Sequence, residues 1–189
     1  MKCFLSWLLV VVVLIIVGGF LLVTYQQAND LVHYPIETRS PAKHHPEDFN
    51  LQVEELVVRN SDGQRLHGYF SPSNNGAYIM LQHGFKADRS YMLEEAKMLQ
   101  QAGYGVLVSS VRAHDLNDGS QITFGVREMD DLDTWYRYLV EQHQAKVGTV
   151  GLLGNSMGAA MAIEYGALNQ DIGAVVAVSP FSSLQDTIN

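Results

Sequence analysis

The residues with the clearest potential for chemistry are Gly154-Asn155-Ser156-Met157-Gly158, which match the pattern G-x-S-x-G. This pattern can hold a serine on a sharp, strained turn between a strand and a helix, with its hydroxyl free to attack a carbonyl carbon. Glycine is required at both ends because side chains there would collide where the strand and the helix cross. With 16 glycines in 189 residues, the pattern also arises by chance, so its surroundings decide its meaning.

The sequence on both sides of Ser156 has the form that such a turn needs. The apolar run Val147 to Leu153 precedes the motif, and the helix-forming residues 159–164 follow it. The sequence therefore predicts a nucleophilic Ser156 at the carboxyl edge of a sheet, with Gly154 and Gly158 supporting the turn. At this place the helix dipole and unpaired N–H groups favour a developing negative charge.

A second glycine-containing segment directly follows the first strand-like apolar run of the parallel type. Residues 82–85 read Gln-His-Gly-Phe, and a loop there can turn backbone N–H groups toward the serine. We expect the N–H groups of Phe85 and Met157 to form an oxyanion hole. His83 and Gly84 are expected to support this loop structurally, because a general base would follow the last strand and not the first.

The histidine and the acid that would activate Ser156 are absent from this chain. No histidine follows Ser156, and the acidic residues beyond it do not follow a further strand: Glu164, Asp171 and Asp186. A serine hydroxyl without an adjacent proton acceptor is a weak nucleophile, so the chain as written is incompletely equipped. Upstream, His114 lies on the correct side of the sheet for a base, but the expected role is that of a polar loop residue.

Composition argues against several other classes of function. The chain carries 12 Lys+Arg against 20 Asp+Glu, a formal charge of −8, and has no basic run, so no nucleic-acid partner is expected. The one cysteine, Cys3, rules out zinc sites of the Cys-x-x-Cys type. Asp130, Asp131 and Asp133 are interpreted as a solvated first turn of a helix, favoured by the helix dipole. No metal and no cofactor are expected.

The N-terminus predicts a single membrane-spanning anchor over residues 1–25. Cys3 to Val23 is almost entirely apolar, and a helix of that length spans the roughly 30 Å hydrocarbon core of a bilayer. A cleaved secretory signal is the alternative, but its apolar region is shorter and Gln26 occupies the place of a small residue. Lys2 precedes the run and Asp30 is the first charge after it, which predicts a cytoplasmic N-terminus and an extracytoplasmic domain.

The rest of the chain divides into a proline-containing linker, residues 26–50, and a folded domain, residues 51–189. The domain begins with two short strand-like runs joined by a turn sequence, which predict an antiparallel hairpin. Buried-type apolar runs then alternate with helical patterns, which predicts a three-layer α/β domain with a mostly parallel sheet. The predicted strands are Val53–Arg59, Arg65–Phe70, Ala77–Leu81, Gly105–Ser109, Val147–Leu153 and Ala174–Val178, and the predicted helices are Arg89–Ala102, Arg127–Gln142 and Met157–Leu168.

Together these motifs resemble the α/β-hydrolase superfamily, and more narrowly its membrane-anchored serine hydrolases of the esterase-like or acyl-peptidase-like branch. The resemblance covers about Leu51 to Asn189. It implies hydrolysis of a carboxylic ester, thioester or amide bond in a small acyl substrate, without a cofactor. Because the acid and histidine of this superfamily follow later strands, the resemblance implies that the chain is an N-terminal portion lacking the last strands. The missing residues are then expected beyond Asn189.

The resemblance is imperfect after the strand Gly105–Ser109. Residues 112–120 read Arg-Ala-His-Asp-Leu-Asn-Asp-Gly-Ser, where the superfamily usually has Arg-Gly-x-Gly-x-Ser. A second hypothesis also remains, in which the chain ends at Asn189 and forms a non-catalytic membrane-anchored binding or scaffold module, or a decayed enzyme. The apolar edge of the strand Ala174–Val178 would then require a partner to cover it.

Overall fold

A six-stranded mixed sheet forms the centre of the domain in the computed structural model, which describes residues 2–39 and 41–183. The strands lie in the spatial order β1-β2-β4-β3-β5-β6. β1 and β2 form an antiparallel hairpin, β2 is antiparallel to β4, and β4, β3, β5 and β6 are mutually parallel. The strands are β1 (Glu54–Arg59), β2 (Arg65–Ser71), β3 (Tyr78–Gln82), β4 (Gly105–Ser109), β5 (Val150–Asn155) and β6 (Ile172–Val178).

Helices cover both faces of the sheet. The four described α-helices are α1 (Lys2–Val32), α2 (Leu93–Gln101), α3 (Glu128–His143) and α4 (Met157–Leu168). α2 packs with Leu81 and Val106 on one face, whereas α3 and α4 pack with Met80 and Leu107 on the other. Neighbouring residues of a strand thus enter different cores, because successive side chains point to opposite faces. The predicted three-layer α/β fold with a hairpin at its start is confirmed.

The carboxyl ends of the parallel strands lie level with one another. Gln82 at the end of β3 is paired with Ser109 of β4 and with Gly154 of β5. The segments that leave these three strands therefore meet at one edge of the sheet, where binding sites of open α/β sheets form. We call them the β3 loop (residues 83–88), the β4–α3 loop (residues 110–127) and the elbow (residues 154–158).

The N-terminal helix is the apolar element that the sequence predicts, and it is longer than expected. Residues 6–32 are long and apolar enough to cross a membrane, by length and composition, and a signal sequence would meet the same criterion. The helix continues to Val32, beyond residue 25 where the anchor was predicted to end. The following segment is not extended, because short 3-10 turns form at Ile36–Thr38 and Pro46–Phe49.

Candidate active site

Ser156 occupies the strained turn between β5 and α4. Its backbone torsions are φ 55° and ψ −114°, in a region that L-residues rarely occupy and that costs about 1–3 kcal/mol unless the surroundings enforce it. The Ser156 N–H donates to Val178 O at 2.9 Å, which fixes the turn to the end of β6. The residue is solvent-exposed, and its side chain makes no capping hydrogen bond to α4. The hydroxyl is therefore presented to solvent at the carboxyl edge.

The glycines on either side of Ser156 are required by close backbone contacts. A Cβ on Gly158 would lie 2.3 Å from Gln82 O and 2.6 Å from His83 O. A Cβ on Gly154 would lie 2.1 Å from Gly158 O. These atoms belong to the backbone and cannot rotate away, so any side chain at either position would force β3, β5 and α4 apart.

The β3 loop lies directly against the serine. A Cβ on Gly84 would lie 3.2 Å from Ser156 Cβ, so only a residue without a side chain fits there comfortably. The next residue is Phe85, and the first residue of α4 is Met157. Within the described part of the chain, neither backbone N–H of these two residues donates a hydrogen bond. The turn thus has two unused N–H donors in the segments that adjoin Ser156.

His83 is buried and holds the β3 loop to its neighbour. Its Nδ1 lies 2.8 Å from Gly84 O, and its Nε2 accepts from the Val111 N–H at 3.0 Å. Burial lowers the pKa of His83 to about 4. The ring is therefore neutral near pH 7, with both nitrogens occupied by backbone groups.

His114 also joins the two loops, but from the β4–α3 loop to the backbone of the β3 loop. Its Nε2 accepts from the Lys86 N–H at 2.9 Å, and its Nδ1 lies 2.8 Å from Arg112 O. Burial first, and the neighbouring His83 second, lower the pKa of His114 to about 3. The two rings meet edge to face with centroids 5.1 Å apart. Each histidine thus binds the backbone of the other one's loop, and we call this arrangement the reciprocal histidine pair.

The sequence interpretation did not anticipate the burial of His114. The residue was expected to be a polar loop residue, but its exposure is 0%. Its neighbour Ala113 has φ 56° and Asp115 has φ 47°, so the backbone turns sharply on both sides and directs the ring inward. Ala113 and Asp115 stand where the pattern Arg-Gly-x-Gly has its two glycines, and both keep the positive φ that glycine favours. This correspondence with the pattern was the signal in the sequence from which the turn could have been predicted.

Two buried ion pairs complete the β4–α3 loop. Arg112 contacts Asp131 of α3 through Nε at 2.7 Å and a second nitrogen at 2.8 Å, and Asn60 donates to the same carboxylate at 2.7 Å. Arg89 pairs with Asp115 through Nε at 3.0 Å. The prediction that Asp131 is solvated is wrong, because it is buried against Arg112. Burial raises the pKa of its carboxyl group, against the effect of Arg112.

The acidic residues after Ser156 contact elements other than the elbow. A Cβ on Gly125 would lie 2.6 Å from Glu164 Oε2, and Asp171 accepts from the Tyr136 hydroxyl at 3.3 Å. Asp186 lies outside the described residues. In the described ranges, no three His, Cys, Asp or Glu side chains are grouped as a metal ion would require.

Comparison with known proteins supports the same assignment of fold. The chain is 26% identical over 180 residues to an uncharacterized protein of Mycobacterium tuberculosis, covering 94% of this chain and 62% of that protein. It is 27% identical to protein bem46 of Schizosaccharomyces pombe over 150 residues, covering 76% of this chain and 49% of that one. The chain thus spans less than two thirds of the length of these relatives.

Solved structures show the same architecture. An esterase of Pyrococcus furiosus superposes with a TM-score of 0.71 at 27% identity, over 79% of this chain and 57% of that one. An α/β hydrolase from a Penicillium species superposes with a TM-score of 0.64 at 21% identity, over 69% of this chain and 46% of that one, which shows the shared fold. The profile of the Hydrolase_4 family, described as serine aminopeptidase, S33, matches residues 73–188, more than half of the chain. The chain therefore belongs to the Hydrolase_4 family of α/β hydrolases.

Proposed function

We propose that this chain is the nucleophile-bearing portion of a membrane-anchored serine hydrolase that cleaves carboxylic ester, thioester or amide bonds. The observation that carries the proposal is the conformation of Ser156. Its φ of 55° is held between two glycines whose positions admit no side chain, and its hydroxyl is exposed. Such strain persists only where the surroundings enforce it, and it is characteristic of functional sites.

In the proposed reaction Ser156 Oγ attacks the carbonyl carbon of the substrate. The serine proton passes to a histidine, and the carbonyl π electrons move to the oxygen. The N–H groups of Phe85 and Met157 stabilise this oxyanion, and loss of one such donor typically costs about a hundredfold or more in rate. The tetrahedral intermediate expels the alcohol, thiol or amine, which takes the proton from the histidine. Water then hydrolyses the acyl-enzyme by the same steps.

The histidine and the acid are proposed to lie beyond Asn189. His83 and His114 are unsuited as bases, since both nitrogens of each ring are engaged by backbone groups and burial lowers the pKa to about 4 for His83 and about 3 for His114. The exposed valines of β6 support further strands in the whole protein. Val175 is 40% exposed and Val176 is 51% exposed, and an uncovered apolar strand favours aggregation. The description of the Pyrococcus furiosus neighbour as an esterase favours ester substrates.

The apolar part of α1 is proposed to be a single-pass membrane anchor, with the N-terminus in the cytoplasm and the domain outside. Every described side chain of residues 6–28 is exposed, so this part of the helix packs on no other element. The distribution of charge around the apolar run supports the orientation. In this proposal the folded domain is tethered next to the bilayer surface.

The test is the full-length protein with Ser156→Ala, compared with Ser61→Ala in the exposed hairpin turn. We expect Ser156→Ala to lower kcat toward p-nitrophenyl butyrate by on the order of 10⁴-fold or more and to abolish covalent labelling by a fluorophosphonate. The Ser61→Ala protein should retain both. Unchanged esterase activity and labelling in the Ser156→Ala protein would refute the proposed function.

A further inference from the structure

The end of α1 is bound to the β4–α3 loop by backbone hydrogen bonds. The Ile122 N–H donates to Val32 O at 2.7 Å, and the Tyr34 N–H donates to Ser120 O at 2.8 Å. Between these two bonds His33 and Gln121 form an antiparallel bridge. The helix therefore meets the domain through a short, ordered β-type contact and not through a flexible tether.

Side chains extend this contact to the candidate active site. Lys86 lies 5.6 Å from the ring centre of Tyr34 and 5.1 Å from that of Phe85, the residue proposed to donate to the oxyanion. Tyr34 also meets His114 edge to face, with ring centroids 5.6 Å apart. Arg39 donates to Tyr34 O at 2.7 Å and to Asn117 O at 2.6 Å. The segment after α1 is thus part of the wall around the β3 loop.

The exposure of α1 shows how the helix leaves the domain. All described side chains from Ser6 to Ala28 are exposed, and partial burial begins at Asn29. The helix therefore does not run along the side of the domain. It contacts the domain only with its last turn and the residues that follow, and these contacts lie at the carboxyl edge of the sheet.

The length of helix between the apolar run and the docked residues places the carboxyl edge of the sheet close to lipid. The apolar run ends at Val23, and residues 24–32 add about 13 Å of helix. The headgroup region outside the hydrocarbon core is roughly 5–8 Å thick on each side. The docked end of α1 then lies about 5–8 Å beyond the outer boundary of the headgroups, within reach of the bilayer surface. The opposite edge of the sheet is farther away by about 20 Å, the length of a six-residue strand such as β5.

We propose that the active-site edge of the sheet faces the membrane surface and that the substrate is an acyl lipid taken from the adjoining leaflet. This inference rests on the proposed function, and it specifies the substrate class. Leu116 and Val126, both in the β4–α3 loop, are 48% and 78% exposed, which suits contact with the interfacial region. A lipid ester would reach Ser156 from the bilayer surface without crossing bulk water.

The orientation is tested without any assay of activity. Val126 of the active-site edge is 78% exposed, and Val147, at the opposite edge before β5, is 72% exposed, so the two valines are a matched pair. Val126→Cys and Val147→Cys are each made in the full-length protein carrying Cys3→Ser, labelled with bimane and reconstituted in phosphatidylcholine vesicles. We expect nitroxide headgroup lipids to quench the label of Val126→Cys and to leave that of Val147→Cys largely unquenched. Equal quenching, or stronger quenching for Val147→Cys, would overturn the proposal.

The substrate class is tested by lengthening the connection between the apolar part of α1 and the domain. A 16-residue Gly/Ser insertion between Ala28 and Asn29 leaves the docked residues in place but adds a coil of about 22 Å average span. We expect hydrolysis of 4-methylumbelliferyl oleate in vesicles to fall roughly tenfold, because the local concentration of substrate falls as the tether lengthens. Hydrolysis of soluble p-nitrophenyl acetate should not change. A vesicle activity equal to that of the unmodified protein would overturn the lipid assignment. Failure of the proposed function would instead appear as activity that survives Ser156→Ala.

Discussion

The elbow and the β4–α3 loop both contain non-glycine residues at positive φ, but different forces hold them there. Ser156 at φ 55° is constrained by close packing of backbone around Gly154 and Gly158. Ala113 at φ 56° and Asp115 at φ 47° lie in a loop held by side chains from distant segments, the reciprocal histidine pair and buried ion pairs. Strain enforced by close backbone packing requires glycines at fixed positions and therefore leaves a short motif in the sequence. Strain enforced by side chains from other elements leaves none.

The largest effect is expected from crowding the elbow. In Gly158→Ala the new Cβ would lie 2.3 Å from Gln82 O, and backbone cannot rotate aside. We expect at least about a hundredfold loss of kcat from displacement of the nucleophile and a loss of about 3 kcal/mol in the free energy of unfolding. Esterase kinetics and urea unfolding of the full-length protein measure the two effects.

The matched control for this change is Gly84→Ala. There the nearest atom is the Ser156 side chain at 3.2 Å, so the neighbour needs to yield by only a few tenths of an ångström. We expect activity to fall while the free energy of unfolding changes by less than about 1.5 kcal/mol. Wild-type kinetics in Gly158→Ala would show that the elbow tolerates a side chain, contrary to its geometry.

An intermediate effect is expected from breaking the reciprocal histidine pair. In His114→Asn the shorter side chain cannot reach both Arg112 O and the Lys86 N–H, so the backbone beside Phe85 loses its anchor. We expect kcat to fall by roughly tenfold to a hundredfold through misplacement of the oxyanion donor, with a stability loss of about 1–3 kcal/mol for the unpaired N–H.

The control is His67→Asn in β2, whose half-buried ring has no hydrogen-bond partner at Nδ1 among the described residues. It should leave kcat close to that of the wild type. If His114→Asn lowers the unfolding midpoint but leaves kcat and the fluorophosphonate labelling rate of Ser156 unchanged, then His114 stabilises the loop without positioning the oxyanion donor.

The smallest effect, taken per histidine and per pH unit, concerns the pH dependence of stability. The pKa is about 4 for His83 and about 3 for His114, below the ordinary value of about 6.5 in the unfolded chain. The unfolded state therefore binds more protons, and stability present above about pH 6.5 is lost as pH falls. We expect a decrease of about 1.4 kcal/mol per pH unit for each histidine between about pH 6 and pH 4.

Urea unfolding at several pH values measures this slope. The carboxyl group of Asp118 has its pKa lowered to about 2 by hydrogen bonds from Arg65, so most of its contribution is lost below about pH 4, and that loss is common to the wild type and the variant. The His114→Asn protein should show a shallower slope than the wild type in the same range. Equal slopes in the two proteins would contradict the neutral, buried state assigned to His114.

Much of the fold could be predicted because it depends on local pattern. The continuous apolar run over Gly105–Ser109 is strand β4 with the same bounds, and Met157–Leu168 is helix α4 as expected. Some element boundaries differ from the predicted ones, one because of a local turn and one because of a tertiary contact. β5 begins at Val150 and not at Val147, because a turn closed by the Thr149 hydroxyl on Lys146 precedes it. α1 passes residue 25 because its last turn is held by the β4–α3 loop.

The amino-acid sequence alone was sufficient to predict the elbow. The backbone has few alternatives where a strand, the motif Gly-x-Ser-x-Gly and a helix follow one another directly. Only the tertiary structure decided the roles of Asp131 and His114, whose partners lie on other elements, and the docking of α1 beside the β3 loop. The physical reason is that these contacts join groups far apart in the chain. Their free energy depends on burial and hydrogen-bond geometry, which exist only once the sheet has assembled.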